Sequence, residues 1–244
     1  MLHVTNYKMK SPDGKKEVSS NADKHDFIKN EIIKLLERSI APFKENEKRI
    51  FGLIRLAELI ETTNKGKPDS NLESADLLRA AVVFIHASLE DLLRRLAVVY
   101  LPTCSPDVLN QIPLAGSKDK LRAEKFFLGR LAVHRGKSVD NLITESVNDY
   151  VAGKSFSDTS EIAGLLELMV FDIAGIEKKF FSAMSEIILR RHQIVHRADI
   201  IMGEKKPTPI NAVKVREWYH AVNAFVIHIT ALEITKNITH PKKA

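Results

Sequence analysis

Between Asp76 and Tyr100 the chain reads DLLRAAVVFIHASLEDLLRRLAVVY. Leu78, Ala81, Val82, Ile85, Leu89, Leu92, Leu96 and Val99 recur at steps of three and four, so an α-helix of about seven turns gathers them into one apolar stripe. Arg79, Glu90, Asp91, Arg94 and Arg95 mostly fall off that stripe. His86 reads as a hydrogen-bonded packing residue. Glu90 has two readings, a polar group turned toward basic residues further along the chain or an ion-paired helix residue. A helix of this length needs partners that cover its stripe, and the flanking sequence supplies them.

Before it, Phe27, Ile28, Ile32, Leu35, Leu36 and Ile40 follow helical spacing, with Asn21 or Asp23 as cap and Pro42 as stop. Ile50, Phe51, Ile54, Ala57 and Leu59 predict a second helix, which TTNKGKPDSN ends through Gly66 and Pro68. Residues 1 to 20 are polar and aperiodic, so we expect a loosely ordered leader, then N-terminal helices over 21–70 packed on a main domain over 71–240. After Tyr100 comes a loop with three prolines, from Leu101 to Lys120. Helices are expected at Leu121–His134, closed by Gly136, and at Val139–Val151, opened by Ser138 and closed by Gly153. SFSDTS supplies caps for a helix through Ile162, Leu165, Leu166 and Met169, and Gly175 separates it from a stripe of Ile176, Phe180, Phe181, Met184, Ile187 and Ile188. The last helix opens at Asn211 and carries Val215, Trp218, Tyr219, Val222, Phe225, Val226, Ile229 and Leu232. No segment alternates with period two between turn signals, so the fold class is all-α.

The chain has 244 residues, 44% of them apolar, a net charge of +6 and a pI near 9.3. That suffices for a packed core and mildly favours a polyanionic partner. One cysteine, Cys104, excludes an internal disulfide and a cysteine-rich zinc site, which fits a reducing cytoplasm. The amino terminus lacks an apolar signal-like run, and the most apolar stretch is interrupted by His86, Glu90 and Asp91. We therefore expect a cytoplasmic protein without a membrane segment.

Chemistry concentrates in Ile187–Asp199, IILRRHQIVHRAD, where Arg190, Arg191, His192, His196 and Arg197 fall within eight residues at the end of an apolar-faced helix. A guanidinium holds a phosphate through two parallel hydrogen bonds, and an imidazole moves protons near neutral pH. His192 and His196, four apart, share a helix face as zinc ligands often do. However, no glutamate follows the first histidine and no third ligand has a signature, so no metal and no cofactor is expected.

Arg191-His192-Gln193-Ile194-Val195-His196, an arginine, a polar residue and a histidine after four intervening positions, resembles the signature of HEPN domains. LLRAAVVFIHASLEDLLRRL resembles the first core helix of these four-helix domains, in the subgroup named for its similarity to RNase L and plasmid-stability toxins. SFSDTSEIAGLLELM and the helix around Trp218 also fall where that subgroup has its later elements, so the likeness spans about residues 72 to 235. It implies a HEPN-like up-and-down bundle with extra N-terminal helices, acting as a metal-independent endoribonuclease in a symmetric dimer. Arg191 and His196 take the two catalytic positions and His192 the assisting one. Glu90, Arg190 and Arg197 are the supporting candidates. A toxin or antiviral defence role follows by the same likeness, with RNA as partner and an antitoxin or other regulatory partner in control. The alternative is a non-catalytic HEPN-like module that binds RNA or a nucleotide or serves assembly.

The chemistry also stands on the residues. Cutting RNA without metal requires a base for the 2′-hydroxyl, a cation for the phosphorane and an acid for the leaving 5′-oxygen. One chain offers one arginine and histidine pair, and a two-fold interface would bring two. Side chains five apart on a straight helix diverge by about 140°. Either the helix ends before His196, or the two approach the phosphate from separate sides.

Overall fold

The computed structural model describes residues 21–63, 70–115, 128–171, 176 and 178–239. Among them every regular element is helical: α1 (Asn21–Thr63), α2 (Ser70–Tyr100), α3 (Pro106–Leu109), α4 (Val139–Ala152), α5 (Thr159–Leu168), α6 (Lys178–Arg197) and α7 (Ala212–Thr239). Two 3-10 segments, Leu101–Thr103 and Leu128–His134, join them. The all-α expectation holds. The expected leader, residues 1 to 20, lies outside the described residues, as do positions 121–127 of the helix expected at Leu121–His134. The described remainder of that helix is the 3-10 segment, and Gly136 follows it at φ 83°, a left-handed conformation that glycine adopts without steric cost.

The long helices α1, α2, α6 and α7 form the bundle. Contacts run round a ring from α1 to α2 to α6 to α7 and back to α1, with α2 and α7 also meeting across the centre. α1 and α6 are therefore the opposed pair. The predicted stripe of α2 lies at that centre: Leu78, Ala81, Val82, Ile85, Leu89, Leu92 and Leu96 are all buried, together with Met184 and Ile187 of α6 and Val222, Phe225 and Ile229 of α7. Leu36, Phe43, Ile50, Ile54 and Ala57 of α1 belong to the same cluster. α4 covers α2 near the first 3-10 segment, and α5 leans on α6.

The caps read from sequence form as their chemistry requires. Ser138 accepts from the Asn141 N–H at 3.2 Å, and Asn211 Oδ1 accepts from the Lys214 N–H at 2.9 Å. Asp158 accepts from the N–H groups of Ser160 and Glu161, while Glu161 reaches back to the Ser157 N–H at 2.6 Å, a reciprocal capping arrangement.

One expectation fails. Pro42 does not separate two helices; α1 runs through it for 43 residues. Proline removes one amide donor and leaves the Arg38 carbonyl without its helical partner, at a cost of roughly 3 kcal/mol for an interior position. The helix continues because Leu36 before Pro42 and Phe43, Ile50 and Ile54 after it pack into one core, and burying four such side chains offsets several kcal/mol. Pro42→Ala is therefore expected to raise the unfolding free energy, by up to about 3 kcal/mol. Thermal or urea unfolding checks this; an unchanged or lowered midpoint would show that Pro42 is needed where it stands.

Candidate functional site

Helix α6 reaches Arg197, so His196 lies inside it and the divergence of Arg191 from His196 is realised. Their side chains leave the helix toward different sides. Arg191 is half-buried, close enough to His86 of α2 to act on it electrostatically, whereas His192 and His196 are exposed. The two imidazoles lie together, ring centroids 4.5 Å apart and planes inclined at 47°. Spacing of one helical turn produces this, because residues four apart stand over one another. Leu189 and Val195 of α6 and Met202 of the following loop are also exposed. The side chains of Arg191, His192, His196 and Arg197 form no hydrogen bond or ion pair with any described residue.

Arg190 behaves differently from its neighbour. Its Nη2 donates to Asp199 Oδ2 at 2.8 Å and to the carbonyls of Thr208 at 2.8 Å and Pro209 at 3.2 Å. From α2, Arg79 Nε donates to the same carboxylate oxygen at 2.6 Å, its Nη2 to the Thr208 carbonyl at 3.0 Å and its Nη1 to Asp76 at 3.0 Å. Asp199 is wholly buried. Two helices are thus tied to the α6–α7 loop through one carboxylate. Burial pulls the Arg190 guanidinium below its usual value and Asp199 pushes it back up, the pattern of a charge held by its partner.

The loop accepts strain to reach this arrangement. Ala198 and Asp199 have φ of 48° and 62°. Residues other than glycine adopt such angles at a cost of about 1 kcal/mol or more each, though aspartate tolerates them best among bulkier residues. The Asp199 N–H bonds the Gln193 carbonyl at 3.1 Å, its carbonyl accepts the Thr208 N–H at 2.8 Å, and Gln193 Nε2 donates to Thr208 Oγ1 at 2.7 Å. The end of α6 is fixed from both flanks.

Glu90, 16% exposed, lies between His86 and Arg94: its Oε1 is 3.8 Å from His86 Nδ1 and its Oε2 is 3.4 Å from Arg94 Nη1. Glu90 is thus ion-paired with Arg94, as one of its two sequence readings has it. His86 is buried as expected, with Nε2 3.3 Å from the carbonyl of Phe156, a residue itself at φ 47°. Arg94 Nη2 donates to the Lys154 carbonyl at 2.8 Å and its guanidinium stacks 5.1 Å from the Phe156 ring. Together they hold the α4–α5 connection on α2.

Among the described residues no three His, Cys, Asp or Glu converge on one point, so His192 and His196 stand as a pair without a third protein ligand. No described helix is long and apolar enough to cross a membrane. Sequence reasoning missed Asp199 and Arg79 as partners of the motif. The available signal was an arginine on α2 off the apolar stripe and an aspartate closing the basic stretch, two opposite charges that burial forces together.

The family model described as RiboL-PSP-HEPN matches residues 50–232, three quarters of the chain, and the chain belongs to that family. The match contains α2, α4, α5, α6 and the motif, and starts within α1. Membership carries a ribonuclease-like or nucleotide-binding role at the level of the family. Nothing matches among curated proteins or among solved structures.

Two predictions follow from this geometry. Asp199→Ala leaves Arg79 and Arg190 buried without their counter-charge, which should cost about 3–5 kcal/mol of stability in denaturant unfolding, while Asp199→Asn should cost less. A loss under 1 kcal/mol for the alanine variant would contradict the clamp. For His86, burial lowers the folded-state pKa below 6.5, against the opposing pull of Glu90 and with help from Arg191 and Arg94. Below that value the unfolded chain takes up a proton that the folded chain refuses, so this contribution is complete above about pH 6.5 and is lost as pH falls. Unfolding midpoints should drop more between about pH 7 and 5.5 for wild type than for His86→Gln; parallel curves would contradict it.

Proposed function

We propose that this protein is a metal-independent endoribonuclease that cleaves RNA by attack of the 2′-hydroxyl on the adjacent phosphate. One observation supports the reading: of two consecutive arginines, Arg190 is bound to Asp199, whereas the side chains of Arg191, His192 and His196 form no hydrogen bond or ion pair with a described residue. His196 transfers the proton, Arg191 holds the phosphate and balances the phosphorane, and His192, its ring 4.5 Å from that of His196, assists. Glu90 supports from α2, holding His86 and Arg94 beside Arg191. Arg197 adds positive potential at the cleft mouth. Arg190 supports by fixing the loop, a role other than phosphate contact.

The active form is a homodimer. Arg191 and His196 of one chain leave α6 toward different sides, and a base and an acid are both required. A two-fold arrangement across the exposed face of α6 brings two imidazoles and two guanidinia to one cleft. Exposed Leu189, Val195 and Met202 around the motif suit such a contact. The biological setting in this reading is a cytoplasmic toxin or antiviral defence effector under a regulatory partner. Residues before 50, which precede the family match, form an N-terminal extension of the family fold. Should the protein bind RNA or a nucleotide and never cut, the assembly or binding module is the reading that remains.

Substitutions separate the roles. His196→Ala should lose roughly 10²- to 10⁴-fold in cleavage rate yet keep RNA binding, because the arginine charge remains. Arg191→Ala should lose a comparable factor and also bind more weakly, and Arg191→Lys should not restore it fully, since lysine lacks the planar two-donor fork. His192→Ala should fall between these and wild type. Cleavage of RNA by His196→Ala at the wild-type rate, in material free of contaminating ribonuclease, would refute the assignment.

A further inference from the structure

Between α1 and α7 lies an open groove of about 460 Å³ lined by Lys44, Glu47, Lys48, Phe51, Arg55 and Arg216. Lys44, Lys48, Phe51 and Arg55 project within about 60° of one another at 100° per residue, and the three cations span about 16 Å of helix. Arg216 meets them from α7. It is held in place by Glu58, at 3.2 Å from Nε and 2.8 Å from Nη2, and by stacking 5.6 Å from the Phe51 ring. Lys48 pairs with Glu45 at 2.9 Å. Lys44 and Arg55 are exposed and have no partner among the described residues. Glu47 is the one acidic residue of the lining.

We propose that this groove is a second binding site, taking the phosphate backbone of single-stranded RNA. A row of cations along one helix, with a fixed guanidinium opposite, matches a flexible chain of repeating anions better than one compact ligand. The row is too open to enclose a small molecule. Lys44, Glu47 and Lys48 precede residue 50, where the family match begins, so the groove depends on the part of α1 that extends the family fold. In the ring of helices α7 lies between α1 and α6. The α6–α7 loop, which follows Arg197, carries exposed Lys205 and Lys206. The inference rests on the reading that the chain acts on RNA, and adds that α1 holds the strand at a distance from the cut.

The test measures binding alone. In a His196→Ala background with excess chelator, fluorescence anisotropy of a labelled single-stranded RNA is followed against salt for the parent, for Lys44→Gln with Arg55→Gln, and for Arg135→Gln with Lys137→Gln. The last pair removes the same charge elsewhere, and circular dichroism verifies folding of each. The groove variant should bind several-fold more weakly, with a log-log salt slope shallower by about 1.4, two phosphate contacts at about 0.7 each. The control pair should bind close to the parent. An unchanged slope and affinity in the groove variant, an equal loss in the control, or no RNA binding by the parent would each overturn the proposal. Because nothing need be cut, a wild type that binds RNA through the groove without cleaving it would refute the nuclease and leave this site standing.

Discussion

A carboxylate buried between two arginines holds this molecule's working end together. Asp199 accepts from Arg79 of α2 and Arg190 of α6 at 2.6 and 2.8 Å, with no exposed surface of its own. Such a cluster contributes little net stability compared with apolar packing of the same volume, but removing one member leaves bare charges in a medium that solvates them poorly. Its effect is to allow one arrangement of α2, α6 and the intervening loop. The strained angles at Ala198 and Asp199 persist because the surrounding bonds over-determine them.

That constraint explains the division between adjacent residues in the motif. A step of 100° along α6 separates Arg190, in the clamp, from Arg191, which acts electrostatically on His86. A further step sets His192 on the exposed face, where His196 joins it one turn later. Charge that would otherwise repel is separated: Arg190 and Arg79 share an anion, and the Arg191 side chain has no described ion-pair partner. The same helix thus carries both the clamped arginine and the unpaired part of the motif.

Much of this could be read from residues in order. Periodicity located α2, α6 and α7 because their stripes face a continuous core, and the caps at Ser138, Asp158 and Asn211 form through contacts within a single turn. Pro42 misled because the cost of a proline is local, whereas the burial that outweighs it is spread over the length of α1 and α2. The arginine and histidine motif was visible as a cluster; which arginine is free was not. That depends on Arg79 and Asp199, 120 positions apart, meeting in space. The groove of Lys44, Arg55 and Arg216 likewise arises only when the first and last helices lie side by side.

The central claim is that imidazole and guanidinium groups cut RNA through its own 2′-hydroxyl. The most direct measurement is mass spectrometry of the ends left after purified protein acts on a defined RNA in excess chelator, beside the same RNA with one 2′-deoxy residue at the cut position. The account predicts a 2′,3′-cyclic phosphate on one fragment, a 5′-hydroxyl on the other, and no cut at the deoxy position. Ends bearing a 5′-phosphate and a 3′-hydroxyl, cleavage at the deoxy position, or cleavage that chelator abolishes would contradict it.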